Sequence, residues 1–321
     1  MKEESRGKDA GLWLRLLGFA LIPLAIQAYQ PIIGGSLGIL TPLPLGYGMA
    51  RRGYLEGTAA VAFIALVTSF VIGTGQGLYF ILETLPLTVG IGWVARSRTP
   101  LYRPVVLTMT AVALTVLIAV GIYGMITGTP PAQLYLETVQ QMGLLMDNAT
   151  QTTGLDPEQQ QQMYWIGKLL QRLIVGIWLS TLTLLIIFYA LLVRGWLLAA
   201  KTLENDKLAL LTEWSMPFPF VGAFVALALA VLLTDGLVRD VALNGLIPLG
   251  AFYGIQGIVI TGHLFTRWTL PPFFRIMILA FGIISVPLAT MIVVSLGGLF
   301  DTWIDFRRRW PLEITPSPPS T

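Results

Sequence analysis

The chain has 321 residues, of which 55% are hydrophobic and 12% are charged, and its formal net charge is +3. A soluble domain of this size carries roughly 25% charged residues, so a water-covered globular surface is excluded. The lack of cysteine excludes disulfides and thiolate metal sites, and the single histidine excludes a histidine metal cluster. The composition indicates an all-α, polytopic transmembrane helical bundle whose partner is the lipid bilayer and not nucleic acid.

Apolar segments long enough to cross a bilayer recur along the whole chain. Because a transmembrane helix needs about 20 mostly apolar residues, we predict about eight or nine spans. The first span is interpreted as a retained anchor, since its apolar run is long and no clear signal-peptide cleavage site follows it. The candidate spans are 12–29, 32–50, 55–75, 77–95, 105–126, 165–192, 218–233, 241–264 and 273–299.

Basic residues cluster in alternate connections, which predicts the orientation of the bundle. Arg51 and Arg52 follow the second span, whereas the connection 127–164 has no Lys or Arg. Basic loops stay in the cytoplasm. We therefore expect a single membrane domain over 1–310, with an outer amphipathic loop at 127–164 and a cytoplasmic loop at 199–216. The N-terminus is expected to be cytoplasmic, and the membrane to be the bacterial cytoplasmic (inner) membrane.

The last candidate span has two interpretations. A single helix over 273–299 would place the following arginine run, which starts at Arg307, outside the membrane and against the orientation rule. Alternatively, Pro287 breaks the segment into two short helices. The tail 311–321, which is rich in Pro and Ser, is predicted to be disordered.

Amphipathic helices are predicted in the outer loop and at 201–214. The sixth helix is expected to begin outside the bilayer and run inward as one long rod. Its start is indicated by Asp156 as the cap, Pro157 in the first turn and Gln159 three residues after the cap. The apolar positions that recur at helical spacing in the outer loop are Tyr135, Val139, Met142 and Met146.

The strongest chemical signal is a carboxylate inside the fourth span. Glu83 lies seven residues after Gln76, roughly 10 Å below the outer boundary at 1.5 Å per residue. A carboxylate at that depth is costly and by default marks a functional site. Gln76, Tyr79 and Glu83 share one helix face and would line an interior cavity. The alternative is a buried carboxylate that a neighbouring helix satisfies without any ligand.

Two basic residues are candidate partners of Glu83. Lys168 and Arg172 lie four residues apart near the outer end of the sixth span, and the same helical rise puts Arg172 about 12 Å deep. A Glu83–Arg172 ion pair would offset the desolvation of both groups. The basic pair would also suit an anionic ligand. Alternatively, both side chains reach outward to the lipid headgroups.

Polar residues near the C-terminus have more ordinary interpretations. Tyr253, Gln256 and His263 share one face of the eighth span. Gln256 is the deeper candidate for a cavity, whereas for His263 we favour an interhelical hydrogen bond. Asp301 and Asp305, beside the arginine run, are interpreted as an interfacial charge cluster.

Small residues predict close contacts between helices. Gly53 with Gly57, and Gly250 with Gly254, form GxxxG pairs. Each small-residue face could form an intramolecular seam, which we favour, or a docking surface for a partner. The many Gly and Pro residues of the second span favour a broken helix beside a cavity. The seventh span has a small face made of Gly222, Ala223, Ala226 and Ala230.

Common catalytic motifs are missing from the chain. It contains no Walker P-loop, no HExxH and no GxSxG. ATP hydrolysis by this chain alone and hydrolase chemistry are therefore not expected. We predict a protein that is not an enzyme and that uses no cofactor and no metal.

Several short segments resemble one known family. They are PLPLGYGMARRG, GLYFILETLPLTVGIGW, EWSMPFP, YGIQGIVI and LGGLFDTWIDFRRR. With them, the chain resembles the YybS-like family of predicted bacterial membrane proteins (domain of unknown function 2232) over nearly its whole length. That family looks related to the substrate-binding S-components of energy-coupling-factor transporters, which hold a small molecule near the outer face and dock on a shared ATPase module. This chain is longer than a six-span S-component and has a large outer loop.

The leading hypothesis is a membrane subunit that binds a small molecule for uptake. A partner ATPase with its transmembrane coupling module, or a gradient, would supply the energy. The alternative is a non-transport membrane scaffold or biogenesis factor, which holds protein partners through the outer loop, the cytoplasmic helix and the small-residue faces. The predicted ligand-binding residues are Glu83, Tyr79, Gln76, Arg172, Lys168 and Gln256.

Overall fold

All regular structure in the described part of the chain is helical. The computed structural model describes residues 2–29, 38–130, 133–134, 136–137, 140–141, 143–144, 156–203 and 211–311. A 3-10 turn lies at Leu211–Glu213. In chain order the helices are α1 (Lys2–Tyr29), α2 (Pro42–Arg52), α3 (Tyr54–Val71), α4 (Thr74–Arg96), α5 (Tyr102–Thr127), α6 (Pro157–Ala199), α7 (Pro219–Leu233), α8 (Gly236–Arg267), α9 (Pro272–Ser285), α10 (Pro287–Ile304) and α11 (Phe306–Arg309).

Six of the described helices are long and apolar enough to cross a membrane. They are α3, α4, α5, α6, α8 and α10. Shorter apolar helices lie at Gly11–Pro23, Pro219–Leu233 and Pro272–Gly282. The prediction of an all-α membrane protein is therefore confirmed, while the total of about eight or nine spans stays a prediction.

The helices group into two compact units. Unit 1 contains Met1–Gln171 and Leu182–Ala209, and unit 2 contains Arg172–Thr181 and Leu210–Thr321. The long helix α6 therefore contributes residues to both units. The expected single membrane domain over 1–310 stays a prediction.

Helix α6 begins with the cap that the sequence indicates. The Gln159 backbone N–H donates to Asp156 Oδ1 at 2.8 Å, and the Asp156 N–H donates to Gln159 Oε1 at 3.4 Å. This reciprocal capping box satisfies two N–H groups that no helical carbonyl can reach. The helix then continues for 43 residues, or about 65 Å, which far exceeds the roughly 30 Å hydrocarbon core. The predicted long rod is confirmed.

The core of unit 1 forms where α1, α2 and α3 pack together. Leu45 and Met49 of α2 meet Val61 and Ile64 of α3 and Ala20 of α1, and none of these side chains is more than 1% exposed. Protein therefore surrounds much of α2. A short helix rich in Gly and Pro is tolerated in a membrane protein when neighbouring helices cover it.

The second candidate span, 32–50, is not one continuous helix. Its residues 32–37 lie outside the described residues, turns follow at 39–41, and α2 begins only at Pro42. Gly53 has a φ of +120°, which favours glycine, and separates α2 from α3. In the GxxxG pair, Gly57 is the packing residue, because a Cβ there would overlap Met49 Cγ, whereas Gly53 meets nothing within 4 Å.

The last candidate span, 273–299, is two helices. Helix α9 ends at Ser285 and α10 begins at Pro287, with Val286 between them at φ −141° and ψ 64°. A Cβ at Gly282 would lie 3.1 Å from Thr290 Oγ1, so the two helices fold back on each other as a hairpin. The single-helix interpretation was wrong, and the predicted break at Pro287 is confirmed.

Helices α8 and α10 of unit 2 run parallel to each other. Ser295 Oγ donates to the Gly250 carbonyl at 3.1 Å, and Gln256 Nε2 donates to Asp301 Oδ2 at 3.0 Å; both pairs are 45 residues apart in the chain. A constant separation requires the same direction. The arginines of α11 therefore lie at the end of unit 2 where α8 ends at Arg267. This removes the conflict with the orientation rule that a single last span would have created.

Several loop predictions fall on residues that the structure does not describe. The four outer-loop positions of the predicted amphipathic stripe, Tyr135, Val139, Met142 and Met146, are among them, and so are 204–210 and 312–321. The described residues between 133 and 144 are helical. Lys201 has a left-handed φ of 52° just after α6, so the helix predicted over 201–214 does not begin at that residue.

The contact between α8 and α10 generates a stability prediction. A Cβ at Gly298 would overlap the Tyr253 carbonyl oxygen, so Gly298→Ala should force the helices apart at a cost of about 1–3 kcal/mol. Gly297→Ala is the matched control, since a Cβ there meets no atom within 4 Å. Alanine favours a helix over glycine by up to about 1 kcal/mol, so the control variant should not be destabilised. Thermal unfolding in detergent should show a lower midpoint for the first variant alone; equal midpoints would contradict the contact.

Candidate functional site

Helix α4 carries three of the predicted ligand residues, which we call the α4 stripe: Gln76, Tyr79 and Glu83. Gln76 is exposed and Tyr79 is 53% exposed, whereas Glu83 is partly buried. The Tyr79 hydroxyl and the Glu83 carboxylate lie close enough to interact. This proximity agrees with the predicted shared face of the helix. Glu83 is thus a carboxylate with a phenol beside it, inside a candidate membrane span.

Close contacts hold both ends of α4 in unit 1. At its start, Gly77 packs on α3 so tightly that a Cβ would overlap Ser69 Oγ. At its end, Arg194 Nε donates to the Ala95 carbonyl at 3.1 Å and Nη2 donates to the Val94 carbonyl at 3.2 Å. Donors at the last carbonyls of a helix satisfy groups that have no helical partner. These contacts fix the position of the α4 stripe.

Arg194 is a residue whose environment the sequence did not reveal. The predicted sixth span ends at 192, before Arg194, but the residue lies inside α6 and is only 8% exposed. The arginine is costly to bury unless its donors are used, and the carbonyls at the end of α4 use them. An arginine between apolar residues of the LLVRGWLL segment was the available signal.

Lys168 has the surroundings expected of a side chain that reaches outward to the lipid headgroups. It is exposed on α6, with Nζ 5.2 Å from the centre of the Tyr164 ring and 5.9 Å from that of Trp165. A cation beside aromatic rings is typical of a membrane–water interface. The described contacts therefore resemble an interfacial anchor, and the ligand role of Lys168 stays a prediction.

Arg172 interacts with helix α8 in unit 2. Its Nε lies 3.8 Å from Asp240 Oδ1, and the side chains are 65% and 31% exposed, so the pair contributes little to stability. Asn244 adds a firmer link, since its Nδ2 donates to the Arg172 carbonyl at 2.7 Å and its Oδ1 accepts from the Gly176 N–H at 2.6 Å. Sequence reasoning missed Asp240 and Asn244, although two polar residues one turn apart in an apolar helix were a visible signal.

A buried hydrogen-bond network surrounds Gln256, which is fully buried in unit 2. Its Oε1 accepts from the Met216 N–H at 2.8 Å, and its Nε2 donates to Asp301 Oδ2 at 3.0 Å. Asp301 also accepts from the Phe306 N–H at 2.8 Å and from Arg307 Nη2 at 3.2 Å. We call these five residues the Gln256 network.

Asp301, which the sequence analysis placed in an interfacial charge cluster with Asp305, is paired with Arg307 and is buried within unit 2. Its side chain is 2% exposed, and three hydrogen bonds surround it. A buried carboxylate is stable only when it is paired and hydrogen-bonded, and Arg307 with two neutral donors meets that requirement. Arg307 Nη1 also donates to the Thr212 carbonyl at 2.8 Å. The network thereby ties α8, α10, α11 and the segment before α7 together.

The polar atoms of Gln256 are thus already used by the protein. A ligand at this residue would have to displace Met216 or Asp301. The predicted ligand residues are also divided, because Arg172 and Gln256 belong to unit 2 and the other four belong to unit 1. The shared ligand cavity and the Glu83–Arg172 ion pair therefore stay predictions.

The remaining polar face of α8 behaves as an ordinary helix contact. His263 Nε2 lies 2.8 Å from the Trp310 carbonyl oxygen, which confirms the hydrogen-bonding interpretation of this residue. The Tyr253 ring packs edge-on against Phe224 at 5.8 Å. The Tyr253 hydroxyl is buried and has no hydrogen-bond partner among the described residues.

The small-residue faces divide into two kinds. Gly254 packs against Ser295, and a Cβ at Gly257 would overlap the Val294 carbonyl, so this face is an intramolecular seam as expected. The face on α7 is different. Gly222 meets no atom within 4 Å, and Ala223 and Ala226 are exposed. The intramolecular interpretation was wrong for these α7 residues.

No metal site is evident in the part of the chain that the structure describes. A group of three or more His, Asp or Glu residues close enough to hold an ion does not occur among those residues.

The sequence matches a protein-family model described as a predicted membrane protein, DUF2232, over residues 19–302. The chain is a member of the DUF2232 family. Membership confirms the family resemblance and agrees with the six helices that could cross a membrane. The matched region of this DUF2232 protein includes the α4 stripe and Gln256, Met216 and Asp301 of the Gln256 network. Searches of curated proteins and of solved structures returned no match.

The Gln256 network generates a second stability prediction for this DUF2232 protein. Gln256→Leu should lower the free energy of unfolding by about 2 kcal/mol or more, because it leaves the buried Met216 N–H without a partner and removes one of the three hydrogen bonds to Asp301. Tyr253→Phe is the control on the same helix, since it removes a hydroxyl without a described partner and should be neutral or stabilising. Chemical unfolding of both purified variants measures the difference. A larger loss for Tyr253→Phe would contradict this account.

Proposed function

We propose that this protein is a small-molecule-binding subunit of a membrane uptake system. The α4 stripe would contact the ligand. The supporting observation is Glu83: within the described residues of unit 1, its carboxylate lies near the Tyr79 hydroxyl and has no basic side chain within ion-pair distance. A carboxylate at membrane depth without a counter-charge is costly, and such groups commonly belong to substrate or ion pathways.

The chemistry of the stripe suggests what the ligand carries. A carboxylate, a phenol and a carboxamide can together accept and donate hydrogen bonds, and the carboxylate favours a cation or a strong donor. Gln76 and Tyr79 are exposed on the surface of α4, near its first residues. The ligand class that fits is therefore a small molecule with a cationic or hydrogen-bond-donating group.

The resemblance to S-components supports the same proposal. A subunit of this kind needs an external energy source, and the chain has no nucleotide-binding motif. We therefore propose a partner ATPase with its coupling module, or a gradient, and no enzymatic activity or cofactor of its own. The proposed location is the bacterial cytoplasmic membrane, with the N-terminus in the cytoplasm, because the basic connections would then face inward.

Replacement of Glu83 tests the proposal. Native mass spectrometry of the protein extracted from its expressing membrane should show a small-molecule adduct. Glu83→Gln should reduce the adduct about tenfold or more, since a hydrogen bond to a charged group is worth roughly 1.5–3 kcal/mol. Tyr79→Phe should weaken it less. Tyr123→Phe, which changes another exposed tyrosine on α5, should have no effect.

The outcomes separate binding from folding. Thermal unfolding of each variant shows whether a lost adduct reflects a lost fold. An adduct of unchanged intensity in folded Glu83→Gln protein would contradict a ligand role for the stripe. A wild-type protein that retains a protein partner and no small molecule would favour the second candidate function.

That second candidate is a non-transport membrane scaffold or biogenesis factor. The exposed small-residue face of α7 favours it, because small residues let another helix approach closely in a membrane. A photo-crosslinker at Ala226 should then form one discrete protein adduct in the native membrane. Val225, also exposed on α7, is the matched control position. Equal labelling at both positions, or labelling of lipid alone, would contradict a partner at this face.

A further inference from the structure

An apolar groove runs between α4 and α5 in unit 1. Its volume is about 380 Å³, within the range of small-molecule sites. Along α4 it extends from Ile81 to Trp93, which is roughly 18 Å at 1.5 Å per residue. We call it the α4–α5 groove. Glu83 does not line it, so the groove is separate from the α4 stripe.

The two helices touch at the floor of the groove. A Cβ at Gly90 would overlap Thr108 Cγ2, and both residues are buried. Pro86 also lines the groove, and its ring removes the N–H that would otherwise bond the Leu82 carbonyl. Glycine and proline therefore create the space, while the larger residues Trp93 and Leu107, 40% and 55% exposed, border it.

The groove surface is made of carbon, even where the residues are polar. Thr108 Oγ1 donates to the Pro104 carbonyl at 2.7 Å, and Thr115 Oγ1 donates to the Ala111 carbonyl at 2.8 Å. Both hydroxyls are thus used by their own helix, and the threonines can offer their methyl groups. A polar ligand would lose hydrogen bonds to water and find few in return. The surface suits a hydrocarbon chain.

The form of the groove suits one extended hydrocarbon chain. Its apolar lining continues along about 18 Å of α4. A single acyl chain is a long group without hydrogen-bonding atoms, so it can follow this lining over its whole length.

Two basic residues lie at one end of the groove. Trp93 is within one turn of the end of α4, and Leu107 lies near the start of α5. The connection carries Arg98, which is exposed and has no hydrogen bond or ion pair among the described residues. Arg103 follows in the first turn of α5 and is exposed too, with Nε 3.1 Å from the Tyr102 hydroxyl. No acidic residue lies between 97 and 107.

We propose that the α4–α5 groove holds an acyl chain of an anionic phospholipid whose phosphate binds Arg98 and Arg103. Guanidinium groups are suited to phosphate, and basic residues at a membrane surface attract anionic headgroups. The groove would bind the acyl chain and the arginines would bind the headgroup, so a single lipid molecule accounts for both the apolar lining and the adjacent basic residues. This site does not depend on the proposed ligand role of the α4 stripe.

Filling the groove with a larger side chain tests whether the acyl chain of the lipid binds there. Delipidated protein is titrated with phosphatidylglycerol or phosphatidylcholine and examined by native mass spectrometry. Wild type should bind one phosphatidylglycerol in preference to phosphatidylcholine. Ala111→Phe, at a lining position, should weaken phosphatidylglycerol binding about tenfold. Thr110→Phe is the matched control, because Thr110 is the exposed neighbour outside the groove. Thr115→Leu serves as a second groove variant if Ala111→Phe does not fold.

Replacing the arginines tests the headgroup contact. Arg98→Gln and Arg103→Gln should each reduce phosphatidylglycerol binding about fivefold and bring it close to that of phosphatidylcholine. Arg309→Gln, another exposed arginine, should leave the preference unchanged. The proposal is overturned if the groove variants bind lipid as Thr110→Phe does. It is also overturned if the arginine variants keep the preference, or if Ala111→Phe changes the oligomeric state instead of lipid binding.

Discussion

A bilayer supplies no water to hydrogen-bond a backbone, and the architecture of this protein follows from that constraint. The described chain satisfies its N–H and C=O groups within helices, and the polar ends of those helices need other partners. Arg194 supplies donors to the end of α4, and a reciprocal capping box begins α6. Reversals in the chain occur where glycine or proline permits them, at Gly53 and before Pro287. Polar side chains in this protein therefore act first as partners for the backbone.

Packing between the helices depends on small residues, because lipid is as apolar as leucine and drives helices together only weakly. Gly257 and Gly298 let α8 and α10 approach until backbone atoms touch. The close approach brings Gln256 next to Asp301, and the network extends from them to Arg307. Where small residues lack such a neighbour, as at Gly222, they leave a face of the helix open.

The Gln256 network and the α4 stripe differ in how fully the protein satisfies their carboxylates. The Gln256 network supplies hydrogen bonds and a counter-charge to Asp301, so it is explained by structure alone. The Glu83 carboxylate has the Tyr79 phenol nearby, and no basic side chain among the described residues of unit 1 lies within ion-pair distance of it. An incompletely satisfied carboxylate suggests a ligand, whereas a satisfied one suggests stability. This contrast is why the proposed function rests on the α4 stripe.

The sequence by itself determined the membrane class, most helix positions, the start of α6 and the Tyr79–Glu83 face, because hydropathy, capping and helical spacing act over a few residues. The sequence was also compatible with a break at Pro287, but it did not distinguish two short helices from one continuous helix over 273–299. Only the tertiary structure showed that α8 and α10 run parallel, that Asp301 is buried and that Gly222 of α7 packs against no neighbouring helix among the described residues. The parallel packing of α8 and α10, which places Gln256 beside Asp301, depends on contacts between residues 45 positions apart, and no local pattern records which distant groups will meet.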